Sequence, residues 1–188
     1  AFKEHQSALM VMATGLGKTI TATEIMRRRG GRGMWVTHRM ELVEQAEEAI
    51  ASIIGTHPQV EMADRHANTL QFNQANTVVA SVQTLNAKRN GRHRMGKFIP
   101  GYYSTLITDE AHHAVALTWA RISEHFSQNE ELRHLGMTAT PDRGDTEALG
   151  QIYKTVAYKY DILDGINDGW LVDINVQAVY VDAIDLRH

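Results

Sequence analysis

The chain has 188 residues, 43% of them hydrophobic and 22% charged, which is enough to bury one sizeable core and predicts a single domain over residues 1–188. No apolar run approaches the ~20 residues that span a bilayer, no signal peptide opens the sequence, and the absence of cysteine excludes disulfides and thiolate metal sites. The net charge of −3 excludes a basic field over the whole domain, so any nucleic acid must be held by local patches. We expect an intracellular, cytoplasmic location and no membrane partner.

The first half of the chain alternates apolar runs with amphipathic segments. Ser7–Ala13 predicts a buried strand, and Lys18–Arg29 predicts a helix that ends at a pair of glycines. Met34–His38 predicts the second strand. In the helix after it, apolar residues recur at three- and four-residue intervals, the spacing of one buried face: Leu42, Val43, Ala46, Ala49, Ile50, Ile53 and Ile54.

The second half continues this alternation. Three further strands are predicted, at Thr77–Ser81, Ser104–Asp109 and Arg133–Ala139. Helices are predicted around Trp119–Phe126 and after Pro141, and the final segment predicts at least one more strand, at Ile174–Val181.

The apolar runs and their order predict the fold class. Strands that are continuous apolar runs are typical of parallel sheets covered on both faces, and alternation with helices predicts right-handed crossovers. We therefore predict an α/β domain with a mostly parallel, doubly wound sheet and helices on both faces. Ligands of such sheets bind at the carboxyl ends of strands. Three polar motifs follow predicted strands and should converge there: Thr14–Thr19, Asp109–His112 and Thr138–Thr140.

The run MATGLGKT, residues 12–19, has the composition of a phosphate-binding loop. Its two glycines allow backbone angles that direct consecutive N–H groups at anionic oxygens. Lys18 offers a positive charge to β- and γ-phosphates, Thr19 offers a hydroxyl ligand for Mg²⁺, and the following helix contributes its positive end. The strict pattern has glycine where this chain has Met12, so an ordinary glycine-rich turn is the alternative.

A second run, LITDEAHH, places two adjacent carboxylates directly after an apolar strand. A carboxylate at a strand end beside a phosphate loop is suited to hold Mg²⁺ through one or two of its waters, and we assign this role to Asp109. Glu110 is then placed to orient and deprotonate an attacking water. For the pair in isolation, the alternative is a solvated acidic turn.

The chain resembles the first RecA-like domain of superfamily 2 helicases, in the DEAH-containing branch that includes type III restriction enzyme translocase subunits. MATGLGKT matches motif I, which in this family often lacks the outer glycine. VTHRMELVEQA (36–46) resembles motif Ia and is followed by ASVQTL (80–85); TDEAHH is motif II, and GMTATPDR (136–143) contains motif III. The resemblance implies a RecA-like P-loop NTPase fold, with ATP and Mg²⁺ at the site.

The resemblance also implies a role for each matching residue. The nucleotide would be bound by Thr14, Gly15, Leu16, Gly17, Lys18, Thr19 and His112, and Mg²⁺ by Thr19 and Asp109. Lys18, Asp109 and Glu110 form the catalytic set. His112, Thr138 and Thr140 would couple the ATP site to the nucleic-acid side; the alternative for His112 is a histidine hydrogen-bonded under the sheet rim.

The same resemblance predicts the contacts to nucleic acid. On the opposite rim of the sheet, the sugar-phosphate backbone of the tracked strand would be touched by His38, Arg39, Gln83 and Thr84. Arg39 has a simpler alternative as a surface ion-pair partner.

Two basic clusters and three tryptophans remain. Lys88–Lys97, KRNGRHRMGK, is predicted as a loop on the same rim as Thr84, where it either contacts phosphate or is simply solvated. Arg27–Gly33 is interpreted as a helix C-terminus, where cations complement the helix dipole. Apolar patterns place three tryptophans in the core: Trp35, Trp119 and Trp170.

The family's reaction needs a second RecA-like domain, because ATP binds between two such domains and the second supplies arginines. No motif of a second domain follows Arg143, so we expect these residues to be a piece of a longer protein. The upstream glutamine motif that recognises adenine is not found, since Gln6 is too close to the loop.

The predicted function is the amino-terminal ATP-binding domain of an ATP-dependent helicase or translocase, which hydrolyses ATP to move along or unwind nucleic acid, DNA in preference to RNA. One alternative is a duplex DNA translocase of a restriction-type system that does not separate strands. Another is a catalytically silent nucleic-acid-binding module, against which Lys18, Asp109 and Glu110 argue. A metabolite kinase would explain neither DEAH nor TAT.

Overall fold

A computed structural model describes residues 1–69, 76–114, 116–139 and 145–174, with side chains from 149 onward in the last range. In these residues seven strands form one sheet and two short strands form a separate hairpin. In chain order the strands are β1 (Ser7–Met12), β2 (Gly33–Thr37), β3 (Gln59–Glu61), β4 (Thr77–Ser81), β5 (Lys88–Arg89), β6 (Arg92–His93), β7 (Thr105–Thr108), β8 (Arg133–Thr138) and β9 (Val156–Tyr160).

The α-helices connect or flank these strands. In chain order they are α1 (Lys18–Arg28), α2 (Met40–Ile54), α3 (Val82–Asn86), α4 (Leu117–Phe126), α5 (Asp145–Ile152) and α6 (Ile162–Asn167). Within the described residues, none of the helices has both the length and the apolar character that a bilayer crossing requires.

The large sheet is parallel throughout, in the order β3-β4-β2-β7-β8-β1-β9. β1 therefore lies between β8 and β9, and β8 separates it from β7. Because the strands are parallel, their last residues share one edge of the sheet, the carboxyl rim: Met12, Thr37, Ser81, Thr108 and Thr138. The first residues of the strands form the opposite edge, the amino rim.

Both faces of the sheet are covered, which confirms the predicted fold class. On one face α1 and α2 pack through Met26 and Ile50 against Trp35 of the sheet. On the other face α4 packs through Ile122 and Phe126. Successive strand residues serve opposite faces, so the central strands are buried on both sides and are rich in apolar residues: β1, β2, β4, β7 and β8.

The five strands predicted before residue 140 each occur with ends shifted by no more than one residue, and the predicted helices occur as well. The first helix ends with Arg27 and Arg28 both paired to Glu24, and Gly30 and Gly31 then adopt positive φ, which confirms a helix C-terminus. Sequence reasoning missed the short β3 and the edge strand β9. The predicted strand Ile174–Val181 lies, beyond its first residue, outside the described residues.

The prediction that Trp170 belongs to the core is wrong. Its side chain is 76% exposed, whereas Trp35 and Trp119 are buried as predicted. The backbone N–H of Trp170 donates to the carbonyl of Gly165, 2.9 Å away, after Gly169 takes a positive φ of 76°. This bond closes the end of α6 and leaves the Trp170 side chain at the surface.

Candidate active site

The loop between β1 and α1 has the backbone that its glycines predicted. Gly15 and Gly17 have φ values of 86° and 84°, in the left-handed region that residues with a side chain rarely adopt. Gly17 caps α1, which begins at Lys18, so the positive end of the helix opens at the carboxyl rim. The loop thus presents backbone N–H groups and a helix N-terminus in one place, as a phosphate site requires.

A cavity of about 500 Å³ brings together residues that are remote in sequence. Lys18 and Thr19 enter it from the start of α1, and Asp109 and Glu110 enter it from the end of β7. The remaining lining comes from the loop, α1 and α2: Thr14, Gly15, Gly17, Ile20, Leu42, Gln45, Glu48 and Ala49. The lysine loop and the acidic pair therefore form one site.

The ammonium group of Lys18 is held inside this cavity. Its Nζ donates a hydrogen bond to the carbonyl of Met12, 3.1 Å away at the end of β1. Burial lowers the pKa of Lys18, and the negative charges of Glu110 and Asp109 act in the opposite direction. The lysine and the two carboxylates line the same cavity, so their charges act on one another there.

Asp109 is almost fully buried, with 6% of its surface exposed. Burial raises its pKa to about 6; the N–H of Glu110, which donates to Oδ1 at 3.0 Å, acts against this rise. A buried carboxylate of this kind gains from a nearby cation. The Thr19 hydroxyl and the Asp109 carboxylate are hard oxygen donors lining the same cavity, and this donor set fits Mg²⁺.

Glu110 begins the short 3-10 turn Ala111–His113 and has a positive φ of 53°. Nδ1 of His112, in the same turn, lies 3.3 Å from Oε2 of Glu110 and 3.2 Å from Oγ1 of Thr138 at the end of β8. His112 and Thr138 are therefore in contact, and their role in coupling the ATP site to the nucleic-acid side stays a prediction. Thr140, the other predicted coupling residue, lies outside the described residues.

The predicted nucleic-acid contacts lie on the carboxyl rim, and the expectation that they occupy the opposite rim is wrong. His38 and Arg39 follow β2, while Gln83 and Thr84 lie in α3 directly after β4. A fully parallel sheet places all these positions on the same edge as the cavity, displaced sideways along it. Nε2 of Gln83 donates to the carbonyl of His38, 3.3 Å away, which joins the two segments.

These four residues differ in how accessible they are. Arg39 and Gln83 are exposed, and Nε of Arg39 donates to Nε2 of His38 at 3.0 Å. Thr84 is only 8% exposed, and its hydroxyl oxygen accepts from Ser81 Oγ at 2.8 Å and from the N–H of Ala63 at 3.1 Å. Contact with nucleic acid stays a prediction for all four, and at Thr84 a direct side-chain contact would have to compete with these bonds.

Gln6 does not reach the cavity. It precedes β1 at the amino rim, and its side-chain amide donates to the carbonyl of Glu130 at 2.8 Å. The contribution of α2 to the lining of the cavity was not predicted. An amphipathic pattern shows which side of a helix is buried, but not which residues on its other side line a cavity.

The segment Lys88–Lys97 was predicted as a loop, but it contains the hairpin of β5 and β6 followed by a 3-10 turn, Arg94–Lys97. Asn90 and Gly91 form its tip with φ values of 51° and 77°. Asn-Gly is a strong signal for a two-residue hairpin turn, so this hairpin is predictable from the sequence.

Comparison with known proteins decides the family. Residues 1–143 match the family described as "Type III restriction enzyme, res subunit". The chain belongs to this family. The match includes the residues of motifs I, Ia and II and runs through motif III, so the resemblance drawn from those motifs is confirmed and the chain has the RecA-like domain of a superfamily 2 helicase.

Two relatives align with nearly the whole length of this chain. The "Putative ATP-dependent helicase IRC3" of Saccharomyces cerevisiae is 28% identical over 186 residues, 92% of this chain and 26% of the yeast protein. The "Type I restriction enzyme EcoAI endonuclease subunit" of Escherichia coli is 27% identical over 188 residues, 95% of this chain and 22% of that protein. The chain thus spans about a quarter of the length of these relatives.

A solved structure supports the fold. The Hef helicase domain of Pyrococcus furiosus superposes with a TM-score of 0.69 at 23% identity, covering 82% of this chain and 34% of that one. The parallel sheet described above is therefore the fold of RecA-like helicase domains.

Proposed function

We propose that this chain is the amino-terminal ATP-binding domain of an ATP-dependent DNA helicase or translocase. The observation that carries the proposal is the single cavity that Lys18 and Thr19 share with Asp109 and Glu110. Its family and the name of its yeast relative agree with such a function.

Each group in the cavity has a proposed task in attack of water on the γ-phosphate. The loop N–H groups, Lys18 and the N-terminus of α1 bind the phosphates. Thr19 and Asp109 would hold Mg²⁺, which when bound neutralises charge on the phosphate oxygens. Glu110 orients and deprotonates the attacking water. His112 holds the Glu110 side chain through the contact at Oε2.

We further propose that residues 1–188 are the first of two RecA-like domains in the whole protein. Support comes from the relatives, since the chain spans only 26% of the yeast protein. In such motors the second domain supplies arginines that raise the rate by orders of magnitude. The isolated chain should therefore bind Mg²⁺-nucleotide weakly and hydrolyse it slowly. The preference for DNA over RNA rests on the restriction-enzyme branch, and the cytoplasmic location stays a prediction.

The nucleotide site is tested by substituting Lys18→Ala and measuring Mg²⁺-ATP binding by calorimetry. We expect binding to be abolished, because the substitution removes the cation that faces the phosphates. Lys154→Ala is the matched control: Lys154 is exposed at the amino rim and should leave binding unchanged. Wild-type affinity in the Lys18 variant would refute the assignment.

A second candidate is a motor that moves along duplex DNA without separating strands, which the restriction-enzyme relative favours. Strand displacement and triplex displacement, measured side by side on the full-length protein, distinguish the two. Triplex displacement without strand separation would select this candidate. Absence of DNA-stimulated phosphate release would instead favour a catalytically silent binding module.

A further inference from the structure

The hairpin β5–β6 carries three cationic side chains that have no counter-ion among the described residues. Lys88, Arg89 and Arg92 are all exposed, and the pairing register sets Arg89 directly opposite Arg92. Like charges directly opposite each other across a hairpin are destabilising. The repulsion between Arg89 and Arg92 therefore destabilises the hairpin, and a bound anion would neutralise it.

The hairpin is fixed firmly to the domain by a buried carboxylate. Glu61, at the end of β3, is 0% exposed and pairs with Arg94 and with Lys97, whose Nζ lies 2.5 Å from Oε2. The N–H of Ala67 also donates to Oε2 at 2.7 Å. Arg94 and Lys97 are thus held by a buried counter-ion, whereas Lys88, Arg89 and Arg92 have none among the described residues.

A second set of bonds ties the hairpin to α3. The ring Nδ1 of His93 lies 2.7 Å from the carbonyl of Asn86, and the N–H of Arg94 donates to the carbonyl of Ala87 at 2.9 Å. Because α3 also carries Gln83, the hairpin continues the carboxyl rim sideways from the predicted nucleic-acid contacts.

Beside the hairpin lies an open groove of about 610 Å³ with a basic lining. Its lining includes two histidines, His66 and His93, and five cationic side chains: Lys88, Arg89, Arg92, Arg94 and Lys97. No acidic residue lines it among the residues described. In a chain of net charge −3, this is a local basic surface, as expected for a site that binds a phosphate backbone.

We propose that Lys88, Arg89 and Arg92 form an auxiliary binding surface for the sugar-phosphate backbone of nucleic acid. The surface lies outside the segments that resemble motifs, and it extends the path of the strand beyond Gln83. Its contacts are to phosphate, so it raises affinity without reading sequence. The proposal rests on the proposed function, since it gives the same partner a second contact site.

The test is the triple variant Lys88→Gln, Arg89→Gln, Arg92→Gln of this chain. Binding to a fluorescent 20-nucleotide strand and to a 20-base-pair duplex is measured by anisotropy as a function of salt. We expect at least about tenfold weaker binding at low salt, with the slope of log K against log salt smaller by about 2 to 3. A duplex effect alone, or a single-strand effect alone, would identify the form of nucleic acid that the surface binds.

The matched control is the triple variant Lys3→Gln, Arg32→Gln, Lys154→Gln. These three exposed cations precede β1, β2 and β9 at the amino rim, so the change in net charge is identical but the hairpin is untouched. The control should keep the wild-type salt slope to within about one unit. Equal losses in both triple variants, or a wild-type slope in the hairpin variant, would overturn the proposal.

A charge reversal separates binding from folding. Arg92→Glu replaces the repulsion with Arg89 by a cross-strand attraction, so thermal stability should be unchanged or higher while nucleic-acid affinity falls. A wild-type affinity in this variant would also refute the surface. Mg²⁺-ATP binding is measured in every variant: if it persists while the hairpin variants bind nucleic acid normally, the inference about the hairpin fails and the proposed ATP site stands.

Discussion

Oε2 of Glu110 lies 3.3 Å from Nδ1 of His112, and the same ring nitrogen lies 3.2 Å from the Thr138 hydroxyl. With a proton on Nδ1, the ring can donate toward both oxygens. The proposed catalytic base is thereby connected to the strand that ends in motif III. The two adjacent carboxylates also differ in burial: Asp109 is buried, whereas Glu110 is half-buried.

The role of Glu110 predicts a separation of binding from turnover. Glu110→Gln keeps the size of the side chain but removes the base, so phosphate release by the full-length protein with nucleic acid should fall by roughly 10²- to 10⁴-fold. Mg²⁺-ATP affinity should stay close to wild type, because the phosphates are bound by the loop and Lys18. Turnover within a few-fold of wild type would show that Glu110 is not the base.

Asp109 predicts a stability that depends on pH. Its pKa is raised from 3.8 to about 6 in the folded protein, so stabilisation present below pH 3.8 is lost as pH rises through about 6. Asp109→Asn should therefore be more stable than wild type at pH 8, by roughly 1–3 kcal/mol, with the difference vanishing near pH 4. Denaturant unfolding at several pH values measures this.

The control for this prediction is Asp109→Ala. Asparagine keeps an acceptor for the N–H of Glu110, whereas alanine leaves that N–H without its present partner. The alanine variant should be less stable than the asparagine variant at every pH. A lower stability of Asp109→Asn than wild type at pH 8 would show that burial does not penalise this carboxylate.

The buried Glu61 predicts a large loss of stability when its charge is removed. Glu61→Gln leaves Arg94 and Lys97, each mostly buried, without their counter-ion, and should lower the free energy of unfolding by about 2–4 kcal/mol. Glu47→Gln is the comparison, because its ion pair with Arg65 is partly exposed and should cost less than about 1 kcal/mol. Equal effects in the two variants would contradict a structural role for Glu61.

Gly136 predicts a steric effect in the middle of β8. A Cβ at this position would lie 2.4 Å from Cζ of Tyr153, a ring that is 4% exposed and cannot easily move away. Gly136→Ala should destabilise the domain by about 1–3 kcal/mol, whereas Gly96→Ala meets no atom within 4 Å and should not. Thermal unfolding measures both. Adding Tyr153→Leu to the Gly136 variant should recover part of the loss.

Much of this architecture was accessible from the sequence because each central strand is buried on both faces. Continuous apolar runs therefore marked β1, β2, β4, β7 and β8, and parallel packing then fixed the edge on which Lys18 and Asp109 meet. The wrong placement of the nucleic-acid contacts on the opposite rim came from the family resemblance. His38 and Gln83 lie at or just after strand ends in the sequence, and in a parallel sheet such positions share the carboxyl rim.

Features set by distant partners could not be predicted. Glu61 is buried only because Arg94 and Lys97, more than thirty residues further along the chain, neutralise it. Strands of two residues such as β5 show no alternation to detect, although Asn90-Gly91 marked their turn. Trp170 lies in a partly apolar stretch of sequence, which predicted a buried side chain. Its exposure depends on how the chain turns at the end of α6.

The position of β8 between β1 and β7 sets the width of the proposed ATP site. Neighbouring strands lie about 4.8 Å apart, so the lysine loop and the acidic pair are spaced by roughly two such intervals. That spacing is independent of how many residues separate the two motifs along the chain. Segments inserted between α2 and β7 would therefore leave the distance between the lysine loop and the acidic pair unchanged. Proteins with this fold can thus change the surfaces that contact nucleic acid while the proposed ATP site keeps its geometry.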